Sequence, residues 1–150
     1  DNFPLKWSYQ DDLMNNIDAA DTNIFFLENK YWLSTNVDPN NKGDHNSILN
    51  LYHAETPISK NWIPHKKNPI IFRNGSRNGG YIKDKNLRIG QKFSFNNYGK
   101  SLEISSIEII DKQNYKEKKM HEIKPTFFKN IKGIHHLSSN GEYTVFDIKH

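Results

Sequence analysis

Apolar residues along the 150-residue chain come in short alternating bursts separated by polar turns, the period-two signature of β-strands. NIFFLENKYWLSTN, residues 23–36, predicts a hairpin with strands over 23–27 and 31–35 around a Glu-Asn-Lys turn. A polar loop punctuated by Asp-Pro and Lys-Gly fills 37–47. ILNLYHAE, 48–55, predicts a third strand, in which Leu49 and Leu51 share one face while Ile48 and Tyr52 compete for burial. Three prolines within 56–72 argue against a helix and favour a short turn with an edge strand around Trp62 and Ile63.

The pattern then recurs. Residues 79–94 predict another hairpin, turning at Lys83-Asp84-Lys85-Asn86. Residues 98–111 predict a long strand, and the placing of Leu102, Ile104, Ile107 and Ile109 implies a bulge near Ser105-Ser106. Residues 122–149 predict a strand, a glycine turn and a hairpin through Ser139-Asn140-Gly141. One brief helix is suggested near 9–16, around Leu13 and Met14. Strand groups thus open near 21–27, 77–83 and 133–138, at a spacing of roughly 55 residues, close to a four-stranded propeller blade. The expected fold is all-β: about three consecutive four-stranded blades, with 23–27, 80–83 and 134–138 innermost, and a sandwich or jelly roll as the alternative.

Composition narrows the partners. The hydrophobic fraction of 35% suffices for a core, and 13% aromatics with little alanine or leucine favour strands. A net charge of +4 is modest, and the largest basic cluster, Lys116 with Lys118 and Lys119, reads as a solvated loop, so no nucleic-acid partner is expected. The absence of cysteine excludes disulfides and thiolate metal sites. No apolar run approaches the roughly 20 residues of a membrane span, and no signal peptide opens the chain, so a cytoplasmic location is expected. The chain also opens without a methionine, which suggests missing upstream sequence.

Arginine is used sparingly. Arg73, Arg77 and Arg88 are the only three, all within 73–88, and the other basic residues are lysine. Such clustering implies a demand for the planar guanidinium fork. In a propeller the starts of the innermost strands, here Asp21, Arg77 and His135, converge on one funnel mouth. There they would bind a sugar hydroxyl, clamp an anionic group and move a proton, with Gly79 and Gly80 leaving room for ligand. Structural readings stand beside these: Asp21 as a turn residue, Arg77 as an inter-blade clamp, and Arg88 paired with Asp21 or Glu103. Gln91 reads equally as a strand cross-link, Tyr98-Gly99 as a strand start, and Trp62 and His65 as packing at a blade edge. His135 and His136 point to opposite faces of a strand, so no metal site is expected, and no motif calls for a cofactor. Asp21 is the one strong candidate for a catalytic carboxylate, whereas glycoside hydrolysis uses two.

The segments AADTNIFFLENKYWLSTN, LYHAETPISKNWIPHKKNPI, SRNGG, LRIGQ, ISSIEIID and GIHHLSSNGEYTVFD, in that order, carry a resemblance. They resemble the five-bladed β-propeller domain at the N-terminus of glucosamine inositolphosphorylceramide transferases. That domain is similar to one in bacterial polysaccharide-biosynthesis proteins, some fused to formyltransferase-like domains, and to furanosidase-like propellers. The likeness runs from about Trp7 to Asp147. Its most specific part is Trp62-x-Pro64-His65-x-x-Asn68-Pro69, Ser76-Arg77-x-Gly79-Gly80, Arg88-x-x-Gln91 and Tyr98-Gly99. The resemblance implies the C-terminal blades of a five-bladed ring, the first two being absent. It further implies recognition of a sugar, glycan or nucleotide sugar in surface polysaccharide or glycolipid biosynthesis, beside a fused transferase domain. Arg77, Arg88, Gln91, Tyr98 and His135 are then the substrate-binding candidates. The alternative is a glycoside hydrolase or transglycosidase whose other carboxylates lie in the missing blades. Lys92 departs from the family pattern, which often has an acid after the glutamine.

Overall fold

The computed structural model describes residues 5–94, 97–127 and 129–150. Strands β1 (Ala19–Leu27), β2 (Lys30–Val37) and β3 (Ile48–Ala54) form an antiparallel meander. Glu28 and Asn29, at φ 50° and 57°, make the two-residue turn, so Lys30 already belongs to β2. The fourth position is divided between β4 (Ile63–Pro64) and β5 (Ile71–Phe72), which pair with successive lengths of β3.

Asn68 bridges the gap between those two short strands. Its side-chain Oδ1 accepts from the Leu51 N–H at 2.9 Å, and its Nδ2 donates to the Leu51 carbonyl at 2.8 Å. The amide thus replaces the peptide that a continuous strand would have offered. His65, buried nearby, sets its Nε2 2.9 Å from the Asp111 carbonyl in the other sheet. The Trp-Pro-His-Asn-Pro motif is therefore structural, and Trp62 and His65 are both buried, as a packing role requires.

The second sheet repeats the meander with β6 (Asn78–Ile82), β7 (Leu87–Ser94), β8 (Asn97–Ile110) and β9 (Tyr115–Ile123). A 3-10 turn over Lys83–Lys85, closed by left-handed Asn86, joins β6 to β7 where the sequence predicts a turn. The register of β8 against β9 slips between Ile104 and Ser105, beside the predicted bulge. A short hairpin of β10 (Leu137–Ser139) and β11 (Thr144–Phe146) joins this sheet through one parallel bridge, Ser139 to Ile82.

Phe25, Trp32 and Leu51 of the first sheet pack on Ile110 of the second, with Tyr81, Ile107 and Tyr115 around them. Phe25 and Tyr81 stack at 4.5 Å. The opposite face of the first sheet buries Leu33, Tyr52, Ala54 and Trp62 under Leu13, Met14 and Ile17. Both faces being covered, Leu51 and Tyr52 are buried together, and the competition seen in the sequence is not a choice. A third cluster, Ile89, Leu102, Ile134 and Leu137, seats the β10 region on the second sheet.

Three expectations need correction. Residues 9–16 form no helix: the segment bends over 13–16, because Leu13, Met14 and Ile17 serve as a cover for the sheet rather than as a helical stripe. The basic cluster is not a loop but lies in edge strand β9, where Lys116 pairs with Glu108 at 2.7 Å and Lys119 with Glu122 at 3.0 Å. Of the three expected innermost strands, β6 and β10 share one sheet while β1 stands in the other. The all-β class and the repeated four-stranded meander hold, but the two sheets are open and do not close into a five-bladed ring.

Removing the Asn68 amide strips the Leu51 N–H of its acceptor, while the Leu51 carbonyl keeps the His65 N–H at 2.9 Å. Asn68→Ala is expected to cost about 1–3 kcal/mol in urea unfolding. His53 supplies a pH test. It is buried edge-on against Trp32 at 5.7 Å, and its Nδ1 has no partner among the described residues. Burial first, then the charges of Lys112 and Lys30, hold the ring below the usual histidine value of 6.5. The unfolded chain therefore binds the proton more readily, so this contribution is complete above 6.5 and declines as pH falls below it. His53→Leu should flatten the slope of melting temperature against pH in the mildly acidic range, before the carboxylates titrate.

Candidate functional site

The strand starts predicted to converge do so. Asp21 lies in a bulge of β1, where pairing with β2 slips between Ala20 and Asn23, and its φ is 52°. The bulge turns its carboxylate towards Arg77, the residue before β6. Arg77 Nε donates to Asp21 Oδ2 at 2.5 Å and Nη1 to Asn46 Oδ1 at 3.0 Å. The guanidinium carbon sits 5.6 Å from the centroid of the Tyr98 ring. Tyr98 in turn meets His135 edge-on at 5.1 Å, and His135 Nδ1 contacts Asp147 Oδ2. The other oxygen, Asp147 Oδ1, accepts the backbone N–H groups of His135 at 3.0 Å and His136 at 2.8 Å. Gln91 Nε2 donates to Asp21 Oδ2 at 3.2 Å and to the Asn78 carbonyl at 2.5 Å. A hollow of about 240 Å³ opens beside this row, walled by Tyr98, Gly99, Ile134, His135, Asp147 and Lys149.

Asp21, Arg77, Gln91, Tyr98 and His135 are therefore one constellation. Arg88 is not part of it. It is 3% exposed and forks onto Glu117, with Nε to Oε2 at 2.7 Å and Nη2 to Oε1 at 2.9 Å. It pairs with an acid, as expected of a structural residue, and that acid is Glu117. Burial opposes the charge of Arg88, yet the hydrogen bonds and charge of Glu117 outweigh it and raise the pKa. Glu117 is likewise pushed up by burial and pulled further down by Arg88, so the pair is ionised. Tyr115, which donates to Glu117 Oε2 at 2.9 Å, has its phenol pKa raised by burial and by that carboxylate. Arg88 also donates to the carbonyls of Gly75 at 3.0 Å and Ser76 at 3.3 Å, the two residues that lead into Arg77.

Arg73 joins the same acidic cluster. Its Nη2 lies 2.5 Å from Glu103 Oε1 and 3.0 Å from Glu117 Oε1. Two of the three arginines thus build the floor, and one serves the rim. The glycines also have a different reason. A Cβ on Gly80, at φ 126°, would stand 2.0 Å from the Leu137 carbonyl oxygen, and one on Gly79 2.9 Å from that of His135. They admit the 135–137 backbone, not a ligand. Lys92 reaches Glu122 at 3.1 Å, and Glu122, held by Ser101 and then Lys119, is lowered to about 2.

Asn46, Asp147 and Lys149 were missed by the sequence reading. Asp147 closes the segment GEYTVFD and carried a weak signal; Asn46 lies in a polar loop that carried none. Among the described residues no cluster of three or more histidines and acids could hold a metal ion, and no helix is long and apolar enough to cross a membrane.

The family model described as glucosamine inositolphosphorylceramide transferase 1, N-terminal, matches residues 1–144. The chain belongs to this family. Among curated relatives, glucosamine inositolphosphorylceramide transferase 1 of Arabidopsis thaliana is 34% identical over 122 residues, covering 77% of the chain. The proteins of the same name from the japonica and indica subspecies of Oryza sativa are each 30% identical over 121 residues. The chain spans 16% of the length of each of these relatives. No solved structure matches it. Within this transferase N-terminal family, the rim described above is what the present fold assembles from the Ser76-Arg77, Gln91 and Tyr98 motifs.

The division between floor and rim is measurable. Arg88→Met leaves Glu117 ionised, buried and without its main partner, and should cost about 3–5 kcal/mol in chemical unfolding. Arg73→Lys, at an arginine 41% exposed and with its charge kept, should cost under about 1 kcal/mol. Equal losses would mean that the two arginines share the load.

Proposed function

We propose that this chain is a carbohydrate-recognising domain of surface polysaccharide or glycolipid biosynthesis, in which Arg77 engages an anionic group of a sugar or nucleotide sugar. Membership of the transferase N-terminal family supports a carbohydrate- or glycolipid-related role. The observation that carries the reading is the setting of Arg77. Asp21 and Asn46 fix its Nε and Nη1, Tyr98 packs against its plane, and Nη2 has no partner among the described residues. Its side chain retains 19% exposure, and Tyr98, against which it packs, walls the hollow. A guanidinium held in this way keeps one edge ready for a carboxylate or phosphate and loses little entropy on binding it.

The other rim residues fit the same ligand. Tyr98, 46% exposed, offers an apolar ring to the C–H face of a sugar. Burial holds the His135 ring below its usual range, with His136 and Arg77 acting against the pull of Asp21. A neutral ring that donates Nδ1–H to Asp147 leaves Nε2 as an acceptor for a hydroxyl. Asp21 Oδ2 is engaged by both Arg77 and Gln91, which supports an orienting role over that of catalytic carboxylate and favours binding over glycoside hydrolysis. The two four-stranded meanders support two consecutive blades of a five-bladed propeller, whose remaining blades would complete the funnel, although the β10–β11 hairpin joins the second sheet rather than opening a third.

Calorimetric titration with glucuronic acid and with UDP-glucuronic acid, on the chain and its Arg77→Lys variant, tests the proposal. Lysine keeps the charge and loses the fork, so affinity should fall about tenfold to a hundredfold at an unchanged melting temperature. Unchanged affinity with a lower melting temperature would make Arg77 a structural clamp.

A further inference from the structure

A second basin, of about 500 Å³, lies between residues 14–18, the end of β2 and the middle of β3. Its polar groups are unusual in kind. Asn15, Asn16, Asn41 and Asn50 present side-chain amides, and Tyr52 contributes its hydroxyl, 3.4 Å from Asn50 Nδ2. Val37, Pro39 and Ile17 supply apolar wall between them.

The acids at its margin are already spent. Asp18 Oδ1 pairs with His45 Nε2 at 2.8 Å. Asp38 accepts backbone N–H groups from Asn40 at 3.0 Å, Lys42, Gly43 at 2.5 Å and Asp44 at 3.1 Å. Burial raises its pKa, and these four donors together bring it below the ordinary carboxylate value. The basin thus offers mainly neutral donors and acceptors, beside two carboxylates already engaged by His45 and by the backbone of residues 40–44. The Asn15, Asn16 and Asn41 amides have no intramolecular partner among the described residues. A primary amide presents a donor and an acceptor side by side, the spacing that vicinal hydroxyls on a sugar ring satisfy.

The basin is also wired to the first site. Loop 38–47 links them: His45 holds Asp18 at the basin, and the next residue, Asn46, accepts from Arg77. Tyr98 and the 240 Å³ hollow lie immediately beyond. We infer that the amide basin is a second subsite, which binds a neutral sugar ring of the same glycan whose anionic group meets Arg77. The inference extends the sugar-binding reading of the rim, yet it concerns separate residues and fails or stands separately.

The test is a titration of the isotopically labelled chain with N-acetylglucosamine, galactose and mannose, followed by backbone and side-chain amide NMR, beside a parallel titration with glucuronic acid. At least one neutral sugar should shift the Asn15, Asn16, Asn41 and Asn50 resonances. Asn50→Ala should weaken that binding roughly three- to tenfold, the loss of one neutral hydrogen bond, while glucuronic acid still shifts Gly99 and Ile134. Asn41→Gly, which keeps the left-handed backbone found at φ 50° and removes the amide, gives the same readout if Asn50→Ala does not fold. Neutral sugars that leave all four asparagines unmoved, or bind both variants as well as the parent chain, overturn the subsite. Glucuronic acid that leaves Gly99 and Ile134 unmoved refutes only the Arg77 reading.

Discussion

The ion pair between Arg88 and Glu117 is the constraint on which the rest of this structure turns. Two full charges are buried where β7 and β9 flank β8, and each is tolerable only because the other is there. The guanidinium has donors to spare after meeting the carboxylate, and it directs them at the carbonyls of Gly75 and Ser76. Those two residues carry the chain into Arg77. A charge pair inside the second sheet thereby sets the approach of the side chain that faces the rim. Arg73 and Tyr115 complete the shell of Glu117 and leave it little freedom to reorient.

The rim also depends on close backbone approach. Gly79 and Gly80 let the 135–137 segment come within reach of β6, which brings His135 towards Tyr98 and Arg77. Across the same junction, Asn78 donates its backbone N–H to Asn36 Oδ1 at 2.7 Å and its Nδ2 to the Ser34 and Asp21 carbonyls at 3.1 and 3.0 Å. Polar contacts thus join the two sheets at the rim, while Phe25, Trp32, Leu51 and Ile110 join them in the core.

Much of this was legible in the chain. Period-two alternation located the hairpins of β1–β2, β6–β7 and β10–β11, because a strand exposes its faces residue by residue. Clustered arginines signalled a need for the fork, although not which arginine faced outwards. Burial of both faces left the inward face of β3 undecided in the sequence, and alternating lysine and glutamate hid the strand character of β9. The Asn68 side chain standing in for a strand left no periodic trace at all.

The sequence by itself determined the strand class, the turns and the set of residues able to bind an anion, since propensity, turn chemistry and side-chain type are local properties. Asp21, Arg77 and His135 were recognisable as a group from their positions at the openings of recurring strand sets. Only the tertiary structure decided that Arg88 answers to Glu117, that Arg73 belongs to the floor, and that Asn46 and Asp147 steady the rim. Those assignments join residues 29 to 44 positions apart, as in the Arg88–Glu117 and Arg73–Glu117 pairs, or lie in loops without pattern. Which charge meets which partner is settled by distance and burial once the two sheets have packed, and neither quantity is written along the chain.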